Sequence, residues 1–125
     1  MDIKELSIGN WVRYDFPEIG KRNIQVNSID EEDNHIGAGG VGASAWSDVS
    51  EFEPIPLTPE ILEKNGFEEN CGRWYNSEAL MEFEPYKDGW CRTINCGEYS
   101  VYFIKYVHQL QNALRLAGVE KEIVL

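Results

Sequence analysis

The chain has 125 residues, of which 42% are hydrophobic and 12% aromatic, and its 22 acidic and 11 basic side chains give a formal net charge of −11. This length suits one compact domain or two very small ones, and the apolar content excludes wholesale disorder. A negative field of this size repels phosphate, so the sequence predicts no direct binding to nucleic acid or to an anionic membrane.

Residues 1–5 lack the basic and apolar regions of a secretory signal, and no apolar run approaches the length of a membrane span. The chain contains three cysteines, Cys71, Cys91 and Cys96, an odd number that does not close into a disulfide framework. Free thiols and a cytoplasmic location are therefore predicted.

Residues 1–56 have the pattern of short strands rich in β-branched and aromatic side chains. The candidate strands are 11–16, 24–29, 35–36 and 46–52, with polar turn formers at 30–34. A sheet of short, closely spaced strands must close or be covered to hide its edges, so we expect a small SH3-like β-barrel. Pro54-Ile55-Pro56 then links this part to a second one, because proline does not continue a central strand.

The second part, 57–125, begins with a short helix whose two ends are specified by the sequence. Thr58 is the N-cap and Pro59 the first helical residue, where no amide donor is needed. Gly66 supplies the left-handed residue that ends the helix, and Phe67 folds back on it.

An antiparallel meander follows this helix, with candidate strands at 73–75, 80–86, 90–94 and 99–104 and a tight turn at Asp88-Gly89. Alternation in the second strand directs Met81 and Phe83 to the core and the two glutamates between and after them to water. A helix from about 106 to 117 covers the sheet, and the apolar residues 123–125 either form a last strand or dock on the core.

The predicted fold class is therefore α+β. It consists of an SH3-like β-barrel at 1–56 and, at 57–125, a helix, a three- to four-stranded antiparallel meander and a C-terminal helix, either as two parts or as one compact unit.

The sequence Gly-Ala-Gly-Gly-Val-Gly at 37–42 satisfies the G-x-G-x-x-G spacing of dinucleotide sites. Polar residues precede it where a buried strand is required, and Pro54 follows too soon for a long helix, so this kind of site is excluded. We expect a flexible barrel loop instead, and because loops carry function, this loop next to Trp46 is a candidate for the lining of a binding groove.

The sequence predicts no metal and no cofactor. The acidic stretch that begins at Asp30 lacks the glycine and the final glutamate of a calcium loop, and the two histidines and three cysteines lack paired zinc spacing. A catalytic pair of Cys91 and His108 has no local signature, and His108 is interpreted as a polar helix residue.

The second part carries more aromatic side chains than one small core needs, and those that lie outside the core would form a patch suited to a partner. The candidate binding residues are Gly39 and Gly40 of the glycine-rich segment, Trp46 beside it, and Trp90 and Tyr102 of the meander.

Three stretches are notable together: Ile-Gly-Asn-Trp-Val at 8–12, the proline-flanked helix start at 54–62 with Asn-Gly-Phe at 65–67, and Tyr-Val-His-Gln-Leu-Gln-Asn at 106–112. They resemble a group of small uncharacterised proteins of Bacteroidetes and of their prophages and mobile elements. The resemblance implies a phage-related or mobile-element origin, and it implies no activity, cofactor or catalytic residue.

These observations favour a non-enzymatic module that binds a protein, and the acidic charge suits a partner with a basic surface. Two rival hypotheses stay open: a small hydrolase or thiol enzyme that uses a Cys/His pair, and a self-assembling structural protein. A homo-oligomer is compatible with all three.

Overall fold

The computed structural model describes residues 1–78, 81–95 and 99–125, and at 92–95 and 99–102 it gives the backbone only. The contacts divide the chain into two compact units, Met1–Ile55 and Pro56–Leu125. The described residues are mostly β-structure, with two short α-helices that both belong to the second unit. The predicted division between residues 56 and 57 into separate domains stays a prediction.

The first unit is one antiparallel sheet in the order β4-β3-β2-β1-β5, which curls into half a barrel. Its strands are β1 (Trp11–Phe16), β2 (Gly20–Asp30), β3 (His35–Gly40), β4 (Ala43–Asp48) and β5 (Phe52–Pro54). A short 3-10 turn at Val49–Glu51 separates the last two, so the predicted single strand at 46–52 is wrong. Pro54 lies in an end strand, where its missing amide donor costs no ladder hydrogen bond.

The core of this unit follows from alternation along the strands. Its buried side chains come from the inward positions of β1, β2 and β3 and from the segments that flank the sheet. They are Ile3, Leu6, Val12, Ile24, Val26, Ile36, Ala38, Val49 and Phe52.

A β-bulge at Asn27 shifts the pairing of β2 with β3 between Val26 and Ser28. Before the bulge Gln25 pairs with Gly39, and after it Ser28 pairs with Gly37. The extra residue keeps polar side chains on the outer face on both sides of the bulge.

The glycine-rich segment is not the predicted flexible loop. Residues 35–40 form β3, which pairs in continuous register with β4, and only Val41 and Gly42 make the turn. The prediction was wrong because glycine was taken as a loop former, whereas here close packing against β3 requires it. A Cβ on Gly37 would overlap Ser28 Oγ and lie 3.1 Å from Trp46 Cε3.

In the second unit, α1 (Pro59–Lys64) has both predicted ends. The Ile61 amide donates to Thr58 Oγ1 at 3.3 Å, and Gly66 has a φ of +84°. The Phe67 amide donates to the Leu62 carbonyl at 3.0 Å, which closes a Schellman motif. Local signals confirmed by geometry therefore fix this helix.

The sheet of this unit is antiparallel in the order β10-β9-β8-β7-β6. It comprises β6 (Glu68–Asn70), β7 (Arg73–Asn76), β8 (Met81–Tyr86), β9 (Gly89–Asn95) and β10 (Tyr99–Ile104). The meander is confirmed, but β6 was not predicted. The β6–β7 turn consists of Cys71 and Gly72, both with positive φ, as a two-residue hairpin turn requires.

The predicted turn at Asp88-Gly89 is displaced by one residue. Tyr86 pairs with Gly89, so the turn residues are Lys87, with a φ of +55°, and Asp88. Gly89 is needed for a different reason: a Cβ there would lie 2.8 Å from the Ile104 carbonyl oxygen.

The second helix, α2 (Val107–Leu116), begins and ends as predicted, with Gly118 at a φ of +77° and a hydrogen bond of 2.9 Å from the Val119 amide to the Leu114 carbonyl. Its apolar residues Val107, Leu110 and Leu114 are buried, and so is His108. Neither described helix combines the length and apolar character needed to span a membrane.

The C-terminal residues dock without forming a strand. Ile123 is buried, and the side chain of Asn65 holds Val124 by donating to its carbonyl and accepting from its amide, each at 2.8 Å. Of the two alternatives for 123–125, docking is therefore the one observed.

Candidate functional site

Trp46 is the most conspicuous exposed side chain of the first unit. It lies in β4, an end strand of the sheet, and 55% of its surface is accessible. Burying an indole is among the largest apolar contributions that a side chain makes, so an indole left this exposed is a candidate contact for a partner.

Glycines of β3 form a side-chain-free surface next to the indole. Gly37 pairs with Trp46, and Gly39 pairs with Ser44 on the same face. The Gly37 backbone lies under the Trp46 ring, since a Cβ there would come within 3.1 Å of Cε3. The indole therefore rests on backbone, which leaves its outer side open.

His35 and Asp48 form the neighbouring cross-strand pair on this face. The His35 and Trp46 ring centroids are 5.8 Å apart, and His35 Nδ1 donates to the Asp33 carbonyl at 2.6 Å. The backbone amide of Ser50 donates to Asp48 at 3.0 Å, and this bond, with further bonds from the Ser50 side chain and Asn34, lowers the pKa of Asp48. Asp48 therefore carries a negative charge at neutral pH.

Further acids surround this end of the hairpin. Asp30 pairs with His35 from β2, and the turn at 31–33 adds Glu31, Glu32 and Asp33. Among the described residues, no lysine or arginine forms an ion pair with any of these four acids or with Asp48. Within the part of the chain that the structure describes, no lysine or arginine therefore neutralises the negative charge beside Trp46.

The opposite border of the glycine surface is polar and uncharged. It consists of Gln25 and Asn27, whose side chains are exposed, and Ser28, which donates to Asn27 Oδ1 at 3.2 Å. We call the surface formed by Trp46, Gly37, Gly39, His35 and Asp48 the Trp46 face.

The structure brings two of the predicted binding residues together and separates the others. Gly39 and Trp46 both belong to the Trp46 face. Gly40 points the other way, because a Cβ on it would lie 3.4 Å from Ile24 Cγ2 on the core side. The side chain of Tyr102 lies outside the described residues, although its backbone pairs with Arg92 in the second sheet.

Trp90 is a core residue, which corrects its choice as a binding residue. Only 6% of its surface is accessible, its Nε1 donates to the Leu57 carbonyl at 3.0 Å, and its ring meets Trp74 edge-on. A buried indole with a satisfied donor is occupied by packing and is not open to a partner.

A second exposed aromatic contact lies on the outer face of the second sheet. Phe103 is 56% accessible, and its ring centroid is 5.0 Å from that of Tyr86. Register places Cys91 between Glu84 and Phe103 on this face. Glu82 and Glu84 there meet Arg73, so acids and bases are mixed.

The described residues offer no metal site and little support for thiol chemistry. No group of three or more potential ligands is assembled among them. Cys71 is exposed in a turn and Cys91 is buried, while Cys96 lies outside the described residues. His108 is fully buried and stacks on Tyr106 at 5.9 Å. A catalytic thiol and its base must both reach a substrate, and burial of Cys91 and His108 is unfavourable for that.

His35 and Asp48 were not predicted from the sequence as parts of the candidate site. The signal was present: once 35–40 is read as a strand, residues 35, 37 and 39 share one face by period-two alternation. The pairing of that face with Trp46 and Asp48 depends on the hairpin register and could not be read from composition.

The chain matches no protein-family model, and comparison with curated proteins and with solved structures gives no significant match. The resemblance drawn from 8–12, 54–67 and 106–112 therefore stays a prediction.

Proposed function

We propose that this protein is a non-enzymatic binding module that recognises another protein through the Trp46 face. The observation that carries this proposal is an exposed indole on a glycine surface, bordered by acids that no base in the described residues neutralises. Exposed tryptophans are frequent centres of protein recognition because one side chain provides a large, rigid contact area.

Charge supports a partner with a basic surface. The net charge of −11 attracts cations over the whole molecule, and the acids at 30–33 and 48 concentrate that attraction beside the indole. A nucleic acid or an anionic membrane would be repelled by the same field.

We also propose that the first unit is an SH3-like fold and that the chain has a phage or mobile-element origin. The curled five-stranded sheet supports the first, and only the three sequence stretches support the second. A cytoplasmic location is also proposed, and the odd number of cysteines supports it.

Self-assembly is the second candidate, and the Tyr86–Phe103 pair is the observation that favours it. Two exposed rings in contact present an apolar patch, which a second copy could cover. The high net charge opposes this association at low salt. The thiol-enzyme alternative has the weakest support, because Cys91 and His108 are both buried.

The test is affinity capture of the tagged protein from a lysate of the source organism, at low and high salt, with mass spectrometry of the retained proteins. Three baits are compared: wild type, Trp46→Ala and Phe103→Ala. The two variants are matched because both rings are just over half exposed, at 55% and 56%.

We expect a salt-sensitive, stoichiometric protein that Phe103→Ala retains and Trp46→Ala loses. If only Phe103→Ala loses the captured protein, the recognition surface lies on the second unit instead. Recovery of the protein alone by all three baits would contradict the proposal, and sedimentation of wild type and Phe103→Ala would then test self-assembly.

A further inference from the structure

Among the described residues, β4 is the last strand of its sheet, with β3 on one side and no strand on the other. Its sequence, Ala-Ser-Ala-Trp-Ser-Asp at 43–48, contains no lysine, no proline and no bulge.

Such an edge is unusual for a folded protein. An end strand presents a row of backbone donors and acceptors that pair readily with another chain, and proteins commonly protect it with lysine, proline or a bulge. At the opposite end of this sheet, β5 is only three residues long and ends in Pro54. β4 has six residues in regular register and none of these devices.

We propose that the edge of β4 binds an extended basic segment of the partner protein, which adds to the sheet as a further strand. This inference rests on the proposed function and specifies the partner's chemistry. Addition of a strand places alternate side chains of the segment on the Trp46 face, one opposite Trp46 and the next opposite Asp48.

Charge selects the side chains of that segment. Arginine or lysine opposite Trp46 places a cation near the indole, and a second base two residues away meets the ionised Asp48 and the acids at 30–33. The recognised pattern is therefore a base at every second residue in an extended chain.

A second copy of this chain is a poorer occupant of the same edge. Each copy carries a net charge of −11, and pairing two β4 strands would bring two Asp48 side chains and two acidic turns to one sheet. We therefore take a basic partner as the occupant, and dimerisation through β4 as an outcome that would contradict the proposal.

The test uses dye-labelled seven-residue peptides and fluorescence anisotropy with the full-length protein at physiological salt. The first probe alternates threonine with three arginines. The second has the same composition with its arginines at the first, fourth and seventh positions, so that no two of them lie two residues apart, and the third replaces arginine by neutral citrulline. The fourth and fifth are the alternating peptide with N-methyl groups on the odd or on the even backbone amides.

We expect the alternating arginine peptide to bind at least about tenfold more tightly than the peptide with arginine at every third residue and the citrulline peptide, because only the alternating peptide presents two bases two residues apart on one strand face. One of the two N-methylated peptides should lose binding and the other keep it, because only every second amide of an added strand pairs with β4.

Variants locate the bound peptide. Trp46→Ala should weaken binding by about three- to thirtyfold, which is the range of a cation on an indole. Asp48→Asn should weaken it by about two- to fivefold, while asparagine still caps the turn that follows. Phe103→Ala should leave the affinity unchanged, and Trp46→Leu, which keeps an apolar cover over Gly37, should match Trp46→Ala.

Equal affinity for the alternating peptide and the peptide with arginine at every third residue, or equal loss from both N-methylated peptides, would overturn strand addition. A dimer that Trp46→Ala dissociates would overturn the choice of occupant. If the alternating peptide fails while lysate capture still depends on Trp46, this inference falls and the proposed function survives. If capture is independent of Trp46, the proposed function itself falls.

Discussion

Gly37 and Gly89 are two positions at which close packing leaves little room for a side chain, but the obstacles differ. Both lie in strands, and a Cβ at either position would meet a neighbouring group closer than packing permits. At Gly37 the obstacles are side chains, namely Ser28, Asn27 and Trp46, which can rotate. At Gly89 the obstacle is the Ile104 backbone carbonyl, which cannot move without moving β10.

Gly89→Ala is therefore expected to destabilise the protein by about 1–3 kcal/mol, the range for an overpacked interior. Gly39→Ala is the matched control, because its Cβ would meet no atom closer than 3.4 Å. Urea unfolding of both variants measures the difference. Equal stability of the two would mean that the β9–β10 approach relaxes without cost.

Asn65 is the residue that holds the C-terminus. Its side chain donates to the Ile61 and Val124 carbonyls at 2.7 and 2.8 Å and accepts from the Val124 amide at 2.8 Å. Only 3% of Asn65 is accessible, and its removal deprives the partly buried backbone groups of Ile61 and Val124 of these hydrogen bonds.

We expect Asn65→Ala to cost about 1–3 kcal/mol of unfolding free energy and to speed hydrogen exchange at the Val124 amide. Asn23→Ala removes an exposed side chain that accepts a hydrogen bond from Arg13 at the surface, and it should change stability by less than about 0.5 kcal/mol. Unchanged exchange at Val124 would show that other contacts hold the C-terminus.

At the scale of elements, the β8–β9 turn is joined to the residue after β10 by an ion pair. Asp88 Oδ2 and Lys105 Nζ are 2.6 Å apart at the surface. The hydrogen bond from Lys105 lowers the pKa of Asp88 below its ordinary value of 3.8, and the same bond raises the pKa of Lys105 above 10.5.

A lowered carboxyl pKa contributes stability above the unfolded pKa and loses it as the pH falls through the folded value. Wild type should therefore lose more stability than Asp88→Asn when the pH falls from about 5 to about 2. Thermal unfolding across this range tests it, with Glu18→Gln as the control because Glu18 is exposed in the β1–β2 turn. Parallel pH profiles for wild type and Asp88→Asn would contradict the expectation.

At the scale of the whole molecule, the charge of −11 is the dominant physical property. The chain has twice as many acids as bases, and these acids repel one another in the compact state. Salt weakens this repulsion, because at 0.1 M it screens charges that lie more than about 10 Å apart. The acids of the turn at 31–33, which form no ion pair with any described lysine or arginine, add to this repulsion next to the Trp46 face.

The melting temperature should accordingly rise by about 2–5 °C between low salt and about 0.5 M sodium chloride. Glu31→Gln combined with Glu32→Gln changes the formal charge from −11 to −9 and should raise the low-salt melting temperature while reducing the response to salt. A melting temperature that falls with salt would show that ion pairs outweigh the repulsion.

The sequence by itself determined those elements whose ends are specified by capping residues close to them in the chain. Thr58, Pro59 and Gly66 specify α1, and Gly118 ends α2, because capping depends on groups only a few residues apart. The alternation of Met81 and Phe83 likewise predicted which face of β8 is buried. Trp46 and Gly39 were also found from sequence as parts of the candidate site.

Only the tertiary structure decided which residues meet across strands. Gly37 was assigned to a loop because glycine favours turns, whereas backbone pairing with Ser28 on one side and Trp46 on the other places it in β3. Trp90 was chosen as a candidate binding residue, and the Leu57 carbonyl, 33 residues away, gives it a buried partner. Register and close approach are set by contacts between distant segments, and the local pattern of residues does not contain them.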